Sequence, residues 1–479
     1  MKLSVSEIAR AVGGTVIYGD PEVQAENITT DSHIMKGADL FVPIKGARVD
    51  GHRFICSAAA AGAAASFTAY RIEELRELCG QEPFPKALIL TGDTRKAMQD
   101  LGRYYREHYV PIPYIGVTGS VGKTTVREMT ACALSAGLRV YSTKGNANSQ
   151  TGVPITVTDT DPDAQIGVIE MGISEFGEMG RLTGIVQCDT AIVTVIGVSH
   201  IGNLGTQENI MREKLLISEG MRKGGTLLLN GDDPLLSRAD IRNFLPENVS
   251  EKGIRILYYG TGENADFRAV GIKSRGGCAA YDLMIGDRKA AEVSLGVPGD
   301  HMVLNSLAAL SAACCHGVDP QKAADALSEF RSLDGRGRVF EKNGITVIDD
   351  AYNAAPQSMT AGLKILNDAE VSGRRIAVLA DMLELGPDED RYHREVGTYL
   401  AEKTPRIHTV MLYGKLAALI GDGIAKAAGA GTGPEILRFS EMGELKNRLQ
   451  KELSAGDAVL FKGSNSMKLG ALVKELFGQ

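Results

Sequence analysis

The stretch "GVTGSVGKTTVREMT", residues 116–130, combines the residue types that hold a nucleotide's phosphates. A short apolar run, "YIGV", feeds a glycine-rich turn, and a helical pattern follows at once. Thr118, Gly119, Ser120, Val121, Gly122, Lys123, Thr124 and Thr125 form this loop. Gly119 and Gly122 let the backbone bend so that its N–H groups face inward, and the helix N-terminus adds the positive end of its dipole. Lys123 can bring its ammonium near the β- and γ-phosphates, and the Thr124 hydroxyl can coordinate Mg²⁺. The general pattern asks for glycine at 117, where this chain has Val117.

Other polar groups close apolar runs. In "IGVIEMG", Glu170 stands at the end of a predicted strand, where its carboxylate would face the rim that holds the phosphate loop and suit a hard divalent cation. In "TAIVTVIGVSH", His200 is read as ending the next strand in the same way, a second candidate metal ligand. Lys214, in "ENIMREKLLISEG", reads by default as a solvated helix lysine. "LLLNGDDP" reads as a turn built on Asn and Asp side chains. The paired Asp349 and Asp350 of "IDDAYNAAP" fall on an extended strand, so they point to opposite sides and make no acid/base pair.

Length and pattern determine what must position these groups. The chain has 479 residues, too many for one core, and suggests about three domains. Residues 1–112 mix short strands with turns and read as a small N-terminal α/β domain; "FICSAAAAGAAASFTAY" at 54–70 reads there as a small-residue helix packed on a sheet. The proline-bearing "YVPIPY" is a natural linker. Over 113–332, strands alternate with helices, which predicts a mainly parallel, helix-covered sheet with its ligand site at the C-terminal strand ends. The helix at 302–317 reads as the close of this domain. Residues 333–479 repeat the alternation and predict a second doubly wound, Rossmann-like α/β unit.

Composition excludes several function classes. Net charge is −7 and no Lys/Arg run is dense enough to track a phosphate backbone, so nucleic acid is not the main partner. No segment reaches the ~20 strongly apolar residues of a membrane span. Seven cysteines without a CxxC read as reduced thiols, and a cytoplasmic monomer is expected.

In chain order stand "TTDS", "GVTGSVGKTT", "KGNANSQTGVP", "IEMG", "GVSHIGNLGTQENIMREK", "LNGDDP", "GDHMVLNSLAAL", "GRGRV", "IDDAYNAAPQSM", "VLADMLELG" and "FKGSNSM". With these strings the chain resembles the Mur ligases, most closely those that add D-alanyl-D-alanine to UDP-N-acetylmuramoyl-tripeptide in peptidoglycan synthesis. The resemblance implies a UDP-sugar domain, a central P-loop ATPase domain and a C-terminal ligase domain. It implies an ATP-dependent amide ligase that acts through an acyl phosphate. It also implies roles: Lys123 on the phosphates, Thr124 on one Mg²⁺, and Glu170 and His200 on a second. Lys214 matches a lysine that these enzymes carbamylate with CO2. Asn305 would contact adenine, Arg336 the γ-phosphate, and Asp350 the ribose, with Asn353 nearby. Ser32 matches a uridine-side motif, and Asn146 and Asn148 a muramoyl-peptide loop. The chain departs from the family pattern at His33, Ala355, Asn465 and Leu215–Leu216.

Three rivals predict different behaviour. A sibling ligase, such as a diamino-acid ligase or a folylpolyglutamate synthase, would take a single amino acid as acceptor. A P-loop switch or motor would hydrolyse ATP without an amine. A non-catalytic UDP-sugar binder would leave Lys123, Glu170 and His200 without a purpose.

Overall fold

A computed structural model describes residues 1–80, 83–275, 277–428 and 433–478. Three main sheets follow one another along the chain. The first has five strands in the order Thr15–Gly19, Ala87–Leu90, Ala63–Thr68, Asp39–Phe41 and Asn27–Thr29. Only its first pair is antiparallel.

The second sheet has nine strands. Six adjacent pairings are parallel, from Val140–Ser142 at one edge to Phe267–Arg275. Tyr114–Thr118 lies between Ile166–Glu170 and Thr190–Val193, so the chain winds away from it in both directions. That reversal opens a crevice at the C-terminal strand ends, the usual ligand position in such sheets. Every residue of Tyr114–Thr118, Ile166–Glu170, Thr190–Val193 and Thr226–Asn230 is buried, which is why these strands read as unbroken apolar runs. Alternate side chains serve opposite faces. Ile115 and Val117 pack with helices Lys123–Ser135 and His301–Cys315, whereas Tyr114 and Ile169 pack with Glu178–Val186 and Gln207–Leu215.

The third sheet runs Arg338–Lys342, Ile345–Asp350, Ala458–Lys462, Arg375–Ala380, Thr409–Tyr413, Glu435–Phe439, parallel after its first pair. Among the described residues no helix is long and apolar enough to cross a membrane.

Three expectations are corrected and one is borne out. The alanine-rich 54–70 stretch is not one helix: Ile55–Ala60 is helical, Gly62 turns at φ 104°, and Ala63–Thr68 is a fully buried strand. Alanine favours helix, but a six-residue segment between two parallel partners gains more from pairing and burial. The central sheet is mainly parallel, as expected, and Cys278–Ile285 and Arg288–Pro298 extend it at one edge as antiparallel strands. The helix His301–Cys315 does not close the unit, since Pro320–Ser328 packs after it on the Arg288–Pro298 strand. His200 does not end a strand; the strand stops at Val193, and His200 sits in the following loop at φ 62°.

The prolines of "YVPIPY" lie between the helix Thr94–His108 and the strand Tyr114–Thr118. Arg106, fully buried, ties the connection down: its Nε donates to Val186 O at 2.9 Å and its guanidinium lies 4.2 Å from the Tyr114 ring centre. Gly167 faces the same ring, and a Cβ there would come within 2.1 Å of it. The Tyr114 hydroxyl is bonded to Thr160 Oγ1 at 2.6 Å, so the ring has little room to retreat. Gly167→Ala is therefore expected to cost about 1–3 kcal/mol by overpacking. The check is urea unfolding: a lower midpoint at constant m-value supports the close approach, and an unchanged midpoint contradicts it.

Candidate active site

The phosphate loop begins where Tyr114–Thr118 ends. Gly119 has φ 147°, and a Cβ there would fall 1.8 Å from Thr194 Oγ1. Gly122 caps the helix Lys123–Ser135 at φ 85°, with Asn305 Oδ1 3.1 Å from where a Cβ would stand. Neither position accepts a larger residue without strain. The loop is held to the neighbouring strand end by Ser120 N–H donating to Val195 O (2.8 Å) and Thr194 Oγ1–H donating to Val121 O (2.6 Å). Lys123 folds back over its own loop, with Nζ donating to Gly119 O at 2.8 Å and Ser120 O at 3.3 Å. Burial lowers its pKa, Glu170 opposes that shift, and Arg336 adds to it.

Glu170 is 1 % exposed at the end of Ile166–Glu170. Its Oε1 accepts from Asn148 Nδ2 at 2.6 Å and from Thr124 Oγ1 at 3.2 Å. Its Oε2 is buried 3.8 Å from Arg127 Nε and has no hydrogen bond among the described residues. His200 Nδ1 stands 2.7 Å from Glu384 Oε2, yet makes no well-aligned hydrogen bond. Burial lowers the His200 pKa, Glu384 opposes this, and Lys123 and Lys214 push the same way as burial.

Lys214 corrects the solvated-helix reading. It is 1 % exposed, on a helix whose Ile210, Met211 and Leu215 enter the apolar core. Burial, then the charge of Lys123, drive its amine well below the ordinary lysine range. Leu215 and Leu216, which depart from the family pattern, are part of that apolar setting.

The third sheet supplies the opposite wall. The Arg336 guanidinium lies 3.7 Å from the Tyr352 ring centre. Asp349 and Asp350 point apart: Asp349 accepts the Gly335 and Ala351 N–H groups, while Asp350 Oδ2 accepts from the buried Lys462. Lys462 Nζ also donates to Asn353 O at 3.1 Å. In "LNGDDP", Asn230 and Asp233 accept from backbone N–H groups two residues on, as a turn requires, while Asp232 accepts from the distant Thr261 N–H.

A cavity of about 470 Å³ joins these groups. It is lined by Ser120–Thr125, Asn146, Asn148, Glu170, His200 and Asn305 from the central part, and by Arg336, Asp350, Asn353 and Lys462 from the C-terminal part. Thr118 and Gly119 are not in its lining, nor is Lys214, nor is Ser32. Ser32 lies in the turn after Asn27–Thr29 of the first sheet. The sequence reading missed Arg127, Lys462, Tyr352 and Glu384. Lys462 and Glu384 lay inside quoted strings, "FKGSNSM" and "DMLELG", without a role; Arg127 gave no signal, since a helix arginine normally faces water.

The geometry has parallels in known proteins. Three family models match the chain: Mur ligase family, catalytic domain, at 24–78; Mur ligase middle domain at 117–313; and Mur ligase, glutamate ligase domain, at 335–465. The UDP-N-acetylmuramoyl-tripeptide–D-alanyl-D-alanine ligase of Bacillus subtilis (strain 168) is 34 % identical over 480 residues, covering 99 % of this chain and 98 % of that protein. MurF from Acinetobacter baumannii superposes with a TM-score of 0.85 at 27 % identity, covering 100 % of this chain and 99 % of that one. MurF ligase from Thermotoga maritima in complex with ADP gives 0.76 at 26 % identity, covering 95 % and 97 %. With similarity running end to end, this chain belongs to the Mur ligase family.

Proposed function

We propose that the chain uses ATP to join D-alanyl-D-alanine to the terminal carboxylate of UDP-N-acetylmuramoyl-tripeptide. The products are the UDP-linked pentapeptide, ADP and phosphate, in cytoplasmic synthesis of peptidoglycan precursors. Full-length similarity to the Bacillus subtilis ligase supports the substrates. The observation that carries the chemistry is that the phosphate loop, Glu170 and His200 share one cavity with Arg336, Asp350 and Lys462. In this reading 1–112 holds the UDP-sugar through Ser32 and its neighbours, 113–332 holds ATP, and 333–479 completes the nucleotide site.

The reaction has two displacements. An oxygen of the peptide carboxylate attacks the γ-phosphorus of ATP, the bond to the β–γ bridging oxygen breaks, and ADP leaves. The neutral amine of D-alanyl-D-alanine then attacks the acyl phosphate carbon. A tetrahedral intermediate collapses, the carbon–oxygen bond to phosphate breaks, and the nitrogen loses a proton. The first displacement brings two anions together, so catalysis is mainly positioning and charge neutralisation. Lys123 and the N–H groups of Ser120–Thr125 cradle the phosphates, and Arg336 meets the γ-phosphate from across the cavity. Asn305 faces adenine. Asp350, oriented by Lys462, takes the ribose beside Asn353. Asn146 and Asn148 receive the peptide.

The donor set fits Mg²⁺. Among the described residues no three His, Cys, Asp or Glu side chains gather as a metal cluster, so a cation here depends on few protein ligands and on substrate oxygens. Glu170 keeps one buried oxygen without a hydrogen bond. Thr124 would hold one ion, and Glu170, His200 and a carbamylated Lys214 a second. Bound there, Mg²⁺ would neutralise charge between the reacting anions.

The test is coupled turnover. ADP and phosphate are expected only when UDP-N-acetylmuramoyl-tripeptide and D-alanyl-D-alanine are both present. ADP release indifferent to the dipeptide overturns the assignment, and release driven by a single amino acid transfers it to a sibling ligase.

A further inference from the structure

Arg127 lies on the phosphate-loop helix, one turn past Lys123, and its side chain is wholly buried. A buried guanidinium costs several kcal/mol unless its donors are matched. Here three of its five N–H donors are matched, to groups of two segments. Nη1 donates to Thr143 O and, at 3.1 Å, to Gly145 O. Nη2 donates to the Glu128 carboxylate. Among the described residues Nε has no hydrogen bond, and it faces Glu170 Oε2, itself without one, across 3.8 Å. That separation is too long for a hydrogen bond, but it sets opposite charges face to face in a dry site.

The two carbonyls begin the segment that carries Asn146 and Asn148. The segment is pinned elsewhere to the Glu170 strand: Thr143 N–H donates to Val168 O, Glu170 N–H to Thr143 Oγ1, and Gly172 N–H to Asn148 O. Gly172 leaves Asn148 room, since a Cβ there would come 3.1 Å from its side chain. Arg127 ties the Thr143–Gly145 carbonyls of this network to the phosphate-loop helix, as Thr124 of the same helix ties Glu170 to it.

We propose that Arg127 is a positioning residue for the UDP-linked peptide whose carboxylate is activated. Its planar fork holds the Thr143–Gly145 turn, and hence Asn146 and Asn148, in register with Glu170 and the phosphate loop. With its Oε2 facing Arg127, Glu170 leaves Oε1 to Asn148 and Thr124. A lysine keeps the charge but cannot grip two carbonyls while facing the carboxylate. The inference rests on the proposed role of Asn146 and Asn148 as peptide contacts.

The experiment compares Arg127→Met and Arg127→Lys with the unaltered chain in steady-state kinetics and in calorimetric binding of UDP-N-acetylmuramoyl-tripeptide and of ADP separately. Arg127→Met is expected to raise KM and Kd for the UDP-linked peptide about 10- to 30-fold, with ADP affinity within about twofold, the size of a lost charge-assisted contact. Arg127→Lys is expected to fall between. Unchanged peptide binding overturns the proposal, as does equal weakening of peptide and ADP, which would mark a general structural strut. Should Arg127→Met not fold, Arg127→Lys decides on the same criterion. Peptide binding is measured without turnover, so a wild-type chain that binds the peptide but ignores D-alanyl-D-alanine would defeat the proposed reaction and leave this inference standing.

Discussion

Lys123→Ala is expected to lower dipeptide-dependent ADP release by about 10³-fold, roughly 4 kcal/mol of transition-state stabilisation. The ammonium is half enclosed beneath the phosphate loop and, among the described residues, bonds to carbonyls of that loop, Gly119 O and Ser120 O. Those carbonyls are neutral, so a phosphate arriving at the helix N-terminus offers the ammonium a stronger partner. Arg336 and Lys123 line one cavity with Glu170, whose charge favours the protonated form of both cations. Removing Lys123 leaves one of these charges to face two reacting anions. Lys123→Arg is expected to fail almost as badly, because the broad guanidinium does not fit the space of a compact ammonium. Retention of more than about a tenth of wild-type turnover by Lys123→Ala would remove the phosphate role from this residue.

The second large effect is at Lys214. Lys214→Ala is expected to lose about 10²-fold or more in kcat, and millimolar acetate or propionate to restore part of it. CO2 adds only to an unprotonated amine, forming a nitrogen–carbon bond and releasing a proton. Burial among Ile210, Met211 and Leu215, together with the Lys123 charge, shifts Lys214 toward that neutral amine. A small carboxylate diffusing into the space left by alanine supplies the same anionic oxygens. The wild-type chain should also lose activity when CO2 and bicarbonate are stripped from the buffer and regain it on readdition. Failure of both tests would remove the carbamate from Lys214.

Local chemistry explains what could be read early. The phosphate loop was legible because strand, glycine turn and helix start are contiguous, and each has its own residue signature. Glu170 was legible because a carboxylate directly after four buried apolar positions has only the strand end to occupy. The opposed directions of Asp349 and Asp350 follow from strand alternation alone.

Misreadings occurred where the partner decides. Ala63–Thr68 has a composition that favours helix, and became a strand because Asp39–Phe41 and Ala87–Leu90 flank it on both sides. His200 was placed on a strand because "TAIVTVIGVS" stays apolar after pairing stops at Val193; Val198 leaves the central sheet and packs in the core of the third. Lys214 and Arg127 are long, charged helix residues whose default is solvent, and nothing adjacent to either in sequence announces burial.

By itself the sequence determined the alternating α/β plan, the phosphate loop and the family resemblance, because these depend on neighbours a few residues apart. Tertiary structure alone decided which cations are dry, that Arg127 and Asn148 meet Glu170, and that the third sheet closes the cavity with Arg336 and Lys462. Burial and opposite-charge contact are properties of surroundings, and here those surroundings come from segments up to hundreds of residues away.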